Sequence, residues 1–330
     1  MCSTTPATPL NDAHPGGFLF PGFLVKFSKP PLNVDDQVGL LQRRGMLVND
    51  IAYARHTLLH VNYYRLRAYW LPFEIEAGSD GEHLFCPGTR FEDVIDSYTF
   101  DQRLKLLLMD AIERVEISLR TRWTHELALR YGSHAYLDRG LFQDMNRYDR
   151  CLQNLQDEVK RSHETFIKHY QSTYTEPNLP PIWAVCDVLT LGQLSQWMGN
   201  LKLRGDRQAI AQTYGFDEVV LCAFSHHLAT VRNLCAHHSR VWNRKFTIRM
   251  KLPSKPSEVA GWFNKDEGQK IYNTILMLSL MLDHIRPDLT WKRQLMELIS
   301  SMPSGTTDAM GFPKDWPTLP PWNINTLATP

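Results

Sequence analysis

Residues 104–127 read LKLLLMDAIERVEISLRTRWTHEL. Leu104, Leu108, Ala111, Val115, Leu119, Trp123 and Leu127 recur at steps of three and four, which lays one apolar stripe along an α-helix. The other face carries Glu113, Arg114, Glu116, Arg120 and Arg122, with Glu116 and Arg120 spaced for an i,i+4 ion pair. Upstream, Thr89-Arg90-Phe91-Glu92 has the form of a capping box. Downstream, Gly132 offers a stop after Tyr131. A straight helix over that interval would span about 60 Å, so a break is expected.

The same helical grammar extends outward. Val34 to Gly45 is helical with Gly45 as its stop, and Asp50 caps a second helix that ends near His60. Residues 61–73 hold many aromatics with Arg65 and Arg67. They read first as a packed helix, and alternatively as an arginine–aromatic surface for RNA. Residues 74–88, with Gly78, Gly81, Pro87 and Gly88, read as a loop or hairpin. Further helices are expected over 146–172, over 183–203 with a start near Thr190-Leu191-Gly192, after Asp217, and over 265–282. Residues 246–252 alternate weakly and suggest a short extended piece. Strand signals are scarce, so the expected fold is all-α. The expected divisions are a flexible arm (1–28), an N-terminal helical subdomain (29–88), a main helical domain (89–295) and a Pro-rich tail (296–330). Neither end shows a helical period, although Trp316 and Trp322 are placed to dock on the body.

Composition narrows the function classes. Of 330 residues, 43% are hydrophobic, enough for a real core. The formal net charge is only +1, so any nucleic-acid contact belongs to a patch rather than the whole surface. Six scattered cysteines without a C-x-x-C suit reduced cytosolic thiols. The N-terminus lacks a basic signal-peptide region, and the longest apolar run, Ile275 to Leu282, is too short for a bilayer. A cytoplasmic protein without membrane contact is expected.

One patch breaks the charge balance. From Val219 through Ser257 there is no acidic residue, but there are seven cations: Arg232, Arg240, Arg244, Lys245, Arg249, Lys251 and Lys255. Inside it lies Arg232-Asn233-Leu234-Cys235-Ala236-His237-His238. On a helical wheel His226, Thr230, Asn233 and His237 form a near line, with Val220, Phe224, Val231, Leu234 and Cys235 on the apolar side. His238 falls toward that apolar side, which favours His237 as the exposed imidazole. Such a trio suits RNA phosphodiester cleavage. Histidine titrates near neutral pH and moves protons. A guanidinium stabilises the charged transition state, and Asn233 orients the histidine or a phosphate. An arginine and a histidine at this spacing also arise by chance, so the motif needs context. Cys222, His226, His227, Cys235, His237 and His238 supply potential zinc ligands, but their spacing fits no common zinc pattern. No phosphate-cradling glycine loop is present. The reading calls for no metal and no cofactor.

These residues carry a resemblance to the Abi-like (AbiD/AbiF-type) abortive-infection proteins of the HEPN superfamily. It rests on Lys29-Pro30-Pro31-Leu32 with Gln37, Leu41 and Gly45, then Asn62-Tyr63-Tyr64-Arg65-Leu66 and Tyr69-Trp70. Asp101, Leu104, Leu107, Ala111-Ile112-Glu113 and Arg120 follow, then Pro181-Ile182-Trp183 and Thr190-Leu191-Gly192-Gln193-Leu194. Val231-Arg232-Asn233, Ala236-His237, Arg240 and Trp242-Asn243 close it, over roughly residues 29–285. The superfamily hallmark is Arg, a polar residue, three to five others, then His; Arg232, Asn233 and His237 match it. The resemblance implies a HEPN-type helical bundle and a metal-independent endoribonuclease of phage defence. RNA is its substrate and a possible regulatory partner. One motif per chain implies a homodimer. Glu113 and Arg120 are supporting candidates on the long helix, and His238, Arg240, Arg244 and Lys245 are candidates for RNA contact. The alternative is a HEPN module that holds a structured RNA or a partner without cutting.

Overall fold

The computed structural model describes residues 30–75, 83–302 and 305–323. The expected N-terminal arm, residues 1–28, lies outside them. Within the described residues the chain forms fourteen α-helices and one two-stranded hairpin, an all-α architecture as expected. It divides into two compact units, Met1–Gln102 and Arg103–Pro330.

The first unit begins with α1 (Val34–Arg43), α2 (Ile51–His60) and α3 (Tyr63–Trp70). Asn33 caps α1, accepting from Asp36 N at 2.8 Å, and Asp50 caps α2 through Tyr53 N at 2.8 Å. Gly45 ends the first helix at φ +91°, a left-handed turn that side chains disfavour. α3 buries Leu66, Tyr69 and Trp70, and the Tyr69 hydroxyl donates to Asp101 at 2.7 Å. Arg65 lies over the Tyr98 ring at 5.8 Å. Leu66, Tyr69 and Trp70 of the aromatic stretch therefore pack, while Tyr64 stays exposed. β1 (Glu74–Ile75) and β2 (Leu84–Phe85) pair antiparallel, a hairpin braced by Arg44 on Glu74 at 3.0 Å.

The next helix, α4 (Phe91–Tyr131), contains the boundary between the units. It is unbroken over 41 residues, against the expected break. Its sequence contains no proline or glycine. Every residue of the stripe from Leu104 to Leu127 is fully buried, so each turn gains core contacts and none is free to kink. Its cap also differs. Asp93, rather than Glu92, reaches back to Arg90 N at 2.9 Å, while the Thr89 hydroxyl bonds Cys86 O. Glu116 and Arg120 form the expected ion pair.

The second unit continues with α5 (Met145–Arg161), α6 (Thr165–Thr173), α7 (Ile182–Val188), α8 (Leu191–Gly199), α9 (Arg204–Gln212) and α10 (Glu218–Ala236). It ends with α11 (Ser257–Gly261), α12 (Tyr272–Ile285), α13 (Leu289–Ser300) and α14 (Thr306–Ala309). Thr190 and Gln193 form a complete capping box at the start of α8, the helix start expected near Thr190. The helix expected over 146–172 is two helices, because the backbone turns extended at Ser162 and Glu164. The helix expected from Lys265 starts later. Asn264 Oδ1 accepts from Asp266 N and Glu267 N, holding a turn there instead.

α10 packs chiefly on α8 and then α9. Trp197 of α8 centres an aromatic cluster, with Phe142 at 5.2 Å, Tyr148 at 5.7 Å and Trp123 at 6.3 Å between ring centres. Truncating a core indole of this kind costs about 3–5 kcal/mol. α12 is buried on all sides from Tyr272 to Ser279, the mark of a central helix. No helix among the described residues is long and apolar enough to cross a membrane. The described residues of the Pro-rich tail pack through its tryptophans, as their expected docking required. α13 reaches Ser300, and Trp316 and Trp322 are buried against Phe312 and Tyr272. Aromatic burial substitutes there for helical periodicity.

Candidate functional site

α10 carries the Arg-Asn-His motif at its C-terminal end. Asp217 caps the other end, accepting from Val219 N at 2.9 Å. The helix buries Val220, Leu221, Phe224, Leu228, Val231 and Cys235. That burial turns His226, Asn233 and His237 to the exposed side and leaves Arg232 half-buried. The predicted line of polar residues is therefore real. Arg232 Nη1 lies 3.5 Å from Asn233 Oδ1, and His237 N donates to Asn233 O at 2.9 Å. The three residues thus share one helical turn and its cap.

The helix end explains what the wheel missed about His238. The wheel places it toward the core, but α10 stops at Ala236 and His238 is exposed at φ +57°. Ser239 N donates to Leu234 O at 2.8 Å and His238 N to Cys235 O at 3.1 Å. This is the Schellman pattern, with His238 in the left-handed position that glycine usually fills. A side chain there costs about 1–2 kcal/mol.

The neighbouring histidine has a different environment. His227 is buried, with Nδ1 2.7 Å from Ile248 O and Nε2 2.8 Å from Thr274 Oγ1. Burial, with His226 adding to it, lowers its pKa against the opposing bond to Ile248. It is a satisfied structural imidazole. Burial pushes the Cys222 thiol up to about 11, with Glu218 reinforcing the shift, so it stays protonated at neutral pH. Among the described residues no group of three His, Cys, Asp or Glu side chains is arranged to hold a metal ion.

Beyond the helix, Arg240 and Arg244 are half-buried and Lys245 is exposed. Val241 and Trp242 are buried and anchor the segment. The expected extended piece at 246–252 forms no strand. Gln269 organises it instead: its main-chain oxygen accepts from Phe246 N at 2.8 Å, its amide donates to Phe246 O at 2.8 Å, and its Oε1 accepts from Arg249 at 3.0 Å.

Of the supporting candidates on α4, Glu113 is exposed. Arg120 engages Glu116, Leu189 O at 2.8 Å and Asp187 O at 3.4 Å, bracing the α7–α8 turn. It also borders a cleft of about 490 Å³ between α4 and α7, walled by Ile117, Leu129 and Trp183. Two residues escaped the sequence reading. Lys105, almost fully buried, donates to Ser239 O at 3.4 Å and supports the turn after His238. Its signal was a lysine set among leucines. Gln269 left no signal, because its partners lie twenty or more residues away.

A model of the family described as Abi-like protein matches residues 56–243, more than half of the chain and all of the Arg232–His237 motif. No curated protein and no solved structure matches. By its helices, its motif and this match, the chain belongs to the Abi-like protein family, which places it among proteins of abortive infection, a defence against phage.

Proposed function

We propose that the chain is a HEPN-type endoribonuclease that cleaves RNA without a metal, as a homodimer. The observation that carries this reading is the cluster of half-buried Arg232 with exposed Asn233 and His237 at the end of α10, followed by an acid-free cationic segment. RNA brings its own nucleophile. The 2′-hydroxyl loses its proton to an imidazole, and its oxygen attacks the adjacent phosphorus. The bond from phosphorus to the 5′-oxygen breaks, and that oxygen takes a proton from an imidazolium. The products are a 2′,3′-cyclic phosphate and a 5′-hydroxyl. His237 serves one proton transfer and the His237 of a second copy the other. The Arg232 guanidinium faces the charge that builds on the phosphorane oxygens.

The test is RNA cleavage in EDTA by Arg232→Ala and His237→Ala. Loss in both supports the reading; cleavage retained in both overturns it. A second reading, RNA held without being cut, draws on the Gln269-braced basic segment alone. It requires salt-sensitive RNA binding together with a defence phenotype that survives His237→Ala.

A further inference from the structure

Lys270 lies outside the cationic run of the sequence, yet its ammonium reaches into it. Nζ sits 3.3 Å from Asn243 Oδ1. Asn243 is itself in the left-handed region at φ +47°, at the bend between Arg240 and Lys245. The lysine is placed by packing. Gly311, at φ +80°, lies so close that a Cβ there would stand 2.6 Å from Lys270 Cβ and 3.1 Å from Glu267 Cβ. Asn264 Nδ2 donates to Gly311 O at 2.9 Å, and Tyr272 N to Met310 O at 3.1 Å, which hold the C-terminal segment against the lysine stem. Gln269, the preceding residue, is tied to Phe246 and Arg249.

We propose that Lys270 joins Arg240 and Lys245 in a subsite for a phosphate of the RNA strand, separate from the phosphate attacked at Arg232 and His237. Burial lowers the pKa of Lys270, and Arg240 and Lys245 lower it further, against the pull of Glu267. With Lys270 Nζ held at Asn243, between Arg240 and Lys245 in the chain, an anion placed there gains from their positive charge. A phosphodiester supplies that anion along a chain the basic segment already faces. The inference rests on the RNA reading, but it adds a contact on which that reading does not depend.

The test uses the full chain carrying His237→Ala, so that bound RNA survives, and a single-stranded oligoribonucleotide titrated over a salt series. Adding Lys270→Met keeps the stem and removes the charge. It should weaken binding about fivefold and flatten the log–log salt slope by about 0.7, the loss of one phosphate contact to a single strand. Lys270→Arg should restore both. Gly311→Ala should weaken binding as Lys270→Met does, because it displaces the lysine stem. If the parent binds RNA steeply with salt and Lys270→Met matches it in affinity and slope, the subsite is overturned while the RNA reading stands. If the parent binds no RNA, both fall. Should Lys270→Met unfold the protein, the exposed Lys245→Ala decides, and an unchanged slope overturns the subsite.

Discussion

His237 stands between two stretches held by different forces. On its N-terminal side, α10 is ordered by local hydrogen bonds and by one apolar face, so Arg232 and Asn233 are aimed by helical geometry. On its C-terminal side, residues 238–251 form no regular element and are ordered by distant partners: Ser239 by Lys105, Phe246 and Arg249 by Gln269, Asn243 by Lys270. The helical side supplies the chemistry of the proposed cleavage. The irregular side supplies cationic surface. Changes on the two sides should therefore separate turnover from binding.

The sharpest separation comes from the helical side. Arg232→Ala and His237→Ala should each lower RNA cleavage by about 10²–10⁴-fold. Their thermal midpoints should stay near the parent, because neither side chain is buried. A variant that unfolds as readily as it loses activity would erase the distinction. Next in size is the buried imidazole of the same helix. His227→Leu leaves Thr274 Oγ1 and Ile248 O without their partner and should cost about 2–4 kcal/mol by urea unfolding.

That imidazole also predicts a pH dependence. Its folded pKa lies below the unfolded value, so between the two the unfolded chain binds more protons. The stability it contributes is present above about pH 6.5, the unfolded value, and is lost as the pH falls toward the folded one. His227→Gln should flatten that part of the stability profile; an unchanged slope would remove the assignment.

On the irregular side, Gln269→Leu should cost about 1–2 kcal/mol of RNA affinity, since it removes the side-chain bonds to Phe246 O and Arg249. Residual turnover per bound RNA should be retained, a split readable in single-turnover kinetics. Smallest is His238→Gly. Glycine fits φ +57° without strain but gives up the interactions of the imidazole, so stability should change by no more than about 1 kcal/mol. A loss of stability would mean that the His238 side chain makes contacts worth more than its strain.

The same contrast explains what could be read from the chain. Period and capping residues located α4, α8 and α10, and the exposed line through Asn233 and His237, because these depend on neighbours three or four residues away. The wheel failed at His238, where the helix had already ended. The break expected in α4 ignored an unbroken buried stripe with no proline or glycine to interrupt it. Gln269, Lys270 and Gly311 were invisible, since their roles exist only once α12 and the C-terminal segment are packed. The order of the tail around Trp316 and Trp322 depends likewise on burial, which leaves no period.

The account's central claim is that the ribose oxygen attacks its own phosphate. It is tested most directly by the ends of the fragments released from RNA in EDTA by the wild-type chain, beside a matched strand carrying 2′-deoxyribose at the cut site. The account predicts a 2′,3′-cyclic phosphate, a 5′-hydroxyl and no cleavage of the deoxy-substituted strand. A 5′-phosphate, or cutting of that substituted strand, would contradict it.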